Sequence, residues 1–257
     1  MSTELLITMG LVASRIGGVF MIMPALGARG VPAMTRILCI LALTALVAPM
    51  VPMATITPTM GLLVFGIMTE VVVGVIIGGT VTFMFGSLAL ACNLMSNQIG
   101  HGAAQLFDPM LKVSHGPIAT LVSLLAAGVF VGTNQHLILL INVTDTFHIV
   151  PPGSVVNPIG GGRFWIVIFS EMMAAALSMA GPVLALVFVI HCFVAVLTKL
   201  APQMNIFFSL GMIMTMVAGT WMVQIILPHQ FEAHHALVSS AIERVPMVLA
   251  EMDVGPR

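Results

Sequence analysis

Charge and tyrosine are what this sequence has least of. Its 257 residues include eight Lys and Arg, nine Asp and Glu, and no Tyr. The formal net charge of −1 supplies no basic face for a nucleic acid, so none is expected as a partner. Against 7% charged residues stand 59% hydrophobic ones and a mean hydropathy of +1.14, more apolar surface than a soluble domain buries. The three cysteines, Cys39, Cys92 and Cys192, are far apart in apolar runs, without a C-x-x-C pair, and read as small buried hydrophobes. With two tryptophans, the aromatic belt of a membrane protein is thin. The start of the chain has no basic n-region, carries Glu4 and places Arg15 in its first apolar run, which argues against a cleavable signal peptide. There is no H-E-x-x-H, G-x-S-x-G or G-x-x-x-x-G-K-[ST], hence no motif for zinc proteolysis, serine hydrolysis or nucleotide binding. His234 and His235 are adjacent, and His101 and His115 lie fourteen apart, so no metal site is expected. No enzyme and no cofactor are read here.

What the chain does have is long apolar runs. Six stand out: Leu5–Leu26, Ala33–Pro52, Gly61–Cys92, Ile118–Ile141, Phe164–Leu197 and Met204–Leu227. A seventh stretch, Phe231–Met252, spaces Leu237, Val238, Ala241, Val245, Val248 and Leu249 at helical intervals and keeps Glu232, His235, Ser239 and Glu243 elsewhere, the pattern of an amphipathic helix. The third and fifth runs would each reach roughly 50 Å as straight helices, against a hydrocarbon core of about 30 Å. They must tilt, kink or project, and Pro182 is the kink candidate in the fifth. In the third run Gly66, Glu70, Gly74, Gly78, Thr82 and Gly86 form one i+4 ridge suited to a closely packed helix. Gly211, Thr215 and Gly219 form a lesser one. The fold class is therefore all-α and membrane-associated, with overlong kinked helices and a C-terminal amphipathic helix. By the positive-inside rule the few basic loop residues place both termini outside.

Between the third and fourth runs lies a glycine-rich polar stretch, residues 93–117, longer than the roughly 2–8 residues that join packed helices. Irregular backbone at membrane depth is tolerated where it is buried or lines water, so this stretch reads as a pore loop. Gly100 and Gly102 give it freedom, Pro109 stiffens its far end, Leu106 and Phe107 are the apolar stopper, and Asp108 anchors the turn. The ionisable residues inside apolar runs are Arg15, Glu70, Glu171 and, more mildly, His136 and His191. They are read as a buried pairing of Arg15 with Glu70 or Glu171, or as a proton or ion relay. The triplet Asn134-Gln135-His136 is read as hydrogen-bonding between helices.

Several landmarks, in order over nearly the whole chain, resemble the FliR family of flagellar biosynthetic proteins and their injectisome relatives, the SctT export-apparatus proteins. They are Arg15, Pro24, Pro32 and Arg36, then Glu70 and Gly74, then Gln98-Ile99-Gly100 and Asp108-Pro109. Asn134 and His136 follow, then the run from Asp145 to Gly153 with its Val150-Pro151-Pro152, then Ala201-Pro202-Gln203-Met204-Asn205. Gln135 departs from the pattern, where relatives often have glycine. The resemblance implies a subunit of a helical export gate, a FliP-like part at 1–160 and a FliQ-like hairpin with its tail at 161–257. It implies a plug made by Gly100 to Pro109, and FliP-like and FliQ-like partner subunits. The turn carrying Lys199, Pro202, Gln203 and Asn205 would face the cytoplasm, where a FlhB-like switch protein docks. Substrates would be unfolded export proteins, and the location the bacterial inner membrane at the flagellar basal body. Injectisome use and an ion-coupled secondary transporter are the alternatives. The transporter would show inverted repeats, and none is visible in the sequence.

Overall fold

The computed structural model describes residues 3–23, 32–54, 59–101, 117–154, 156, 158–200 and 210–252. Among these the chain is helical, without strands. In order the helices are α1 (Thr3–Ile22), α2 (Ala33–Val47, continued by a 3-10 turn at Ala48–Met50), α3 (Met60–Ile99), α4 (Pro117–Gly132), α5 (Gln135–Ile149), α6 (Pro158–Leu200) and α7 (Met212–Met252). Five of them are long and apolar enough to cross a membrane, or six spans if α4 and α5 count as one broken span. This is a membrane-associated, all-α chain.

The helix boundaries differ from the sequence reading in three places, each with a local cause. The fourth run is two helices, not one, because Asn134 turns left-handed at φ 58° between them. Hydropathy is blind to such a break, whereas asparagine tolerates that conformation better than most residues. The sixth run and the amphipathic stretch form a single helix, α7, which passes through Pro228 and Pro246. Proline removes one backbone donor, but a helix held by its neighbours survives that loss. The third run extends to Ile99, so Asn93–Ile99 of the glycine-rich stretch is helical, and the helix stops where Gly100 takes φ 98°. The fifth run is overlong as read: α6 has 43 residues, with Pro182 inside it.

The chain divides into two compact units. The first comprises Met1–Met84, Phe130–Ser170 and Leu237–Arg257. Within it α1 buries one stripe (Leu11, Val12, Arg15, Ile16, Val19) and lies against α3 through small residues. A methyl group on Gly18 would sit 2.7 Å from the Val71 carbonyl oxygen, and one on Gly78 2.8 Å from that of Val19. One on Gly74 would collide with the Arg15 carbonyl. Thr82 donates to the Ile22 carbonyl at 2.9 Å, extending the same seam. The i+4 ridge of α3 from Gly74 to Thr82 is thus the seat of α1. Trp165 stacks edge-on to Phe83, with ring centroids 5.6 Å apart, and fills the space over Gly79. Gln135 donates to Ser239 at 2.8 Å, joining α5 to α7 within this unit.

The second unit comprises Phe85–Val129 and Glu171–Ala236. Its close approaches are Gly219 of α7 beneath Ile99 of α3 and Gly86 beneath Met172 of α6. Gln230 donates to the Met179 carbonyl, and His234 packs edge-on against Phe85 at 5.0 Å. The residues of α7 from Leu237 onward belong to the first unit, where Val238, Ala241, Ile242, Val245, Val248 and Leu249 are buried and Glu243 and Arg244 are exposed.

Candidate functional site

The most heavily engaged polar group among the described residues is Arg15. It sits in the middle of α1, on the stripe facing α3, and is fully buried. A cation so placed costs about 2.5–3.5 kcal/mol at mid-helix on insertion scales unless it is paired. The pairing here is a fork. Arg15 Nε donates to Glu70 Oε2 at 2.6 Å, and Nη2 to Glu70 Oε1 at 3.1 Å. The fork is bidentate, the strongest geometry open to an arginine and a carboxylate.

The third member of the node is the C-terminal end of α5. Arg15 Nη2 also donates to the Val150 carbonyl at 2.8 Å, and Nη1 to Thr146 Oγ1 at 3.2 Å. Phe147 lies under the guanidinium with its ring centroid 4.0 Å from the central carbon, a cation–π contact in a water-poor setting. Thr146 is free to accept because its own hydroxyl proton goes to the Val143 carbonyl at 2.6 Å. Val150 is the residue at which α5 ends, and Pro151-Pro152 follow it. The turn they begin is closed by Ser154 donating to the Pro151 carbonyl. Gly153 takes φ 86° there, and its N–H donates to Glu70 Oε1 at 2.9 Å. A side chain at this left-handed position would strain the turn and disturb that amide.

The arrangement ties three segments, α1, α3 and the turn after α5, through one charge pair. Chemically it is a clamp: both carboxylate oxygens of Glu70 are occupied and four N–H groups of Arg15 are spent. Glu171, the other acid considered beside Arg15, is half-buried on α6 in the second unit. The sequence reading missed Thr146, Phe147 and Gly153 as members of the node. The run Asp145–Gly153 stood out only as a landmark, and nothing in its composition says which distant charge it meets. Of the plug residues, Gly100 lies at the end of α3, while Gly102, Leu106, Phe107, Asp108 and Pro109 fall outside the described residues. Lys199 lies in the last turn of α6, and Pro202, Gln203 and Asn205 fall outside the described residues.

Arg15, Glu70, Gly74 and Val150 to Gly153 are thus spread along the chain but meet in one place. The family of bacterial export proteins, family 1, matches residues 6–241. The chain belongs to that family. Among relatives in the export family, the flagellar biosynthetic protein FliR of Bacillus subtilis (strain 168) is 25% identical over 95% of either chain. FliR of Escherichia coli (strain K12) is 25% identical over 70% of this chain and 71% of its own. The Yop proteins translocation protein T of Yersinia pestis is 26% identical over 54% of each. The resemblance to FliR and SctT proteins read from the sequence is shown by these matches.

Proposed function

We propose that the chain is a non-enzymatic subunit of the flagellar type III protein export gate in the bacterial inner membrane. The observation that carries this reading is the match to an export-protein family across residues 6–241, with a FliR covered over 95% of its length. The shorter alignment with the Yersinia translocation protein makes injectisome use the second reading. In this proposal the chain sits with FliP-like and FliQ-like subunits around a path for unfolded substrates, its 1–160 part FliP-like and its 161–257 part FliQ-like. The Gly100–Pro109 segment serves as the plug and the Lys199–Asn205 turn as the docking point for a FlhB-like protein. The Arg15–Glu70 node then has a mechanical role. A wall that passes unfolded chains must keep its helices in register without relying on what fills the lumen, and a charge pair closed on three segments does so. The energy for export comes from other components, since this chain carries no nucleotide motif.

Deleting the gene in its own bacterium tests the reading: filaments and secreted hook and filament subunits should vanish from the medium. Loss of needle-type secretion with normal filaments would assign it to an injectisome instead. Removing Ala103–Phe107 tests the plug separately, with assembled complexes expected to leak small ions through the membrane.

A further inference from the structure

We propose that Thr133–Asn134 is a hinge about which α4 changes direction on a fixed α5, Asn134 passing between its left-handed and a right-handed conformation. Among the described residues Asn134 is the one non-glycine at positive φ, with φ 58° and ψ 18°. That conformation is disfavoured for an L-residue and persists only where the surrounding structure holds it. Little holds it at the junction itself. Val131, Gly132, Thr133 and Asn134 are all exposed, and a methyl group on Gly132 would meet nothing within 4 Å. The Asn134 side chain makes no capping bond to α5.

The backbone can be satisfied in either conformation. The Asn134 N–H donates to the Val131 carbonyl at 3.1 Å, and its carbonyl accepts from Leu137 at 2.9 Å and Ile138 at 3.2 Å. A right-handed Asn134 would keep the Ile138 bond and exchange Val131 for Phe130, the regular helical partner. The apolar pattern passes through as well, since α4 and α5 together qualify as one span. What holds the bent form lies one residue on. Gln135 is buried and donates to Ser239 of α7, and Leu139, Val143 and Phe147 are buried further along α5. Thr146 and Phe147 then meet Arg15, so α5 is fixed at both ends and α4 is the arm that moves. Its 16 residues make an arm about 24 Å long, and a tilt of about 10° moves the Pro117 end by about 4 Å. That end follows the Gly100–Pro109 segment in the chain. The hinge therefore sets how far the plug withdraws, a consequence that rests on the reading proposed above.

The test uses the full chain, co-expressed with its export partners and reconstituted in lipid nanodiscs, with its three cysteines replaced by alanine. Spin labels are attached through Leu121→Cys on α4 and His148→Cys on α5, both exposed positions. Double electron–electron resonance should then read a major and a minor distance. Asn134→Gly, which removes the left-handed penalty, should shrink the minor fraction. Asn134→Ala, which raises that penalty, should increase the minor-to-major ratio about fivefold, and Gln135→Ala should shift it the same way. One unchanged distance in wild type and all three variants would overturn the hinge. Should Asn134→Ala fail to assemble, an unchanged distance in Gln135→Ala overturns it alone. In liposomes Asn134→Ala should leak small ions faster than wild type, and a shifted distance without added leak would overturn the link to the plug. If removing Ala103–Phe107 causes no leak either, the plug reading has failed, and the distances still judge the hinge.

Discussion

The most fully bonded buried polar side chains and the least bonded one, His234, lie in different units. In the first, Arg15 and Glu70 are ionisable and almost wholly enclosed, yet they are held by several hydrogen bonds within a node of three segments. In the second, Gln230 keeps one bond, to the Met179 carbonyl, while its own side-chain oxygen has none. His234 is buried against Phe85 with neither ring nitrogen hydrogen-bonded. A charge pair satisfied on both sides is costly to break from one side. An unbonded neutral ring is costly to keep and cheap to replace by an apolar group.

The largest effect should come from breaking one side of the charge pair. Glu70→Ala leaves Arg15 buried without its acid and should destabilise the first unit by about 3–5 kcal/mol. The chain should then fail to accumulate in membranes, as read by immunoblot of a tagged copy. Replacing both partners, Arg15→Met with Glu70→Leu, should recover most of the lost level. A double variant no better than Glu70→Ala would mean that the pair does more than neutralise its own charges. Next comes the seam between α1 and α3. Gly74→Val puts bulk against the Arg15 backbone and should cost about 1–3 kcal/mol, while Gly61→Val, with open space around it, should cost much less. Thermal unfolding of the purified complex separates the two. Gln135→Ala should have a smaller effect, about 1 kcal/mol, since it deletes the bond to Ser239. The smallest should be His234→Leu. With no hydrogen bond to lose, it should change stability by less than about 1 kcal/mol or raise it. A large loss there would show that the second unit relies on a polar contact at His234 and would erase the contrast.

How much of this was legible in the sequence depends on the range of the interaction. Helix existence was readable because apolar runs of twenty or more residues leave few alternatives. The i+4 glycine ridge of α3 announced a close neighbour, and α1 occupies it from Gly74 to Thr82. Charge economy made Arg15 and Glu70 conspicuous, since an apolar run gives a reader few other candidates. The Thr133–Asn134 break was hidden because one backbone dihedral, not composition, makes it. The continuity of α7 was hidden for the reverse reason: Pro228 looks like a terminator, and only packing shows that it is not. Gly153 was readable as a turn residue but not as a donor to Glu70, because that bond joins residues 83 positions apart.

The spacing of the Arg15 node along the chain also sets an order in time. Glu70 follows Arg15 by 55 residues and Thr146 by 131. At the roughly 5–20 residues per second of ribosomal synthesis, the arginine is made about 3–11 s before its acid. During that interval α1 is a membrane-seeking helix with an unpaired cation at its middle. It has either to wait at the bilayer surface or to be sheltered by the insertion machinery. The clamp cannot close until Gly153 has left the ribosome, when more than half of the chain exists. α1 is thus locked in place only once α2 to α5 have been made.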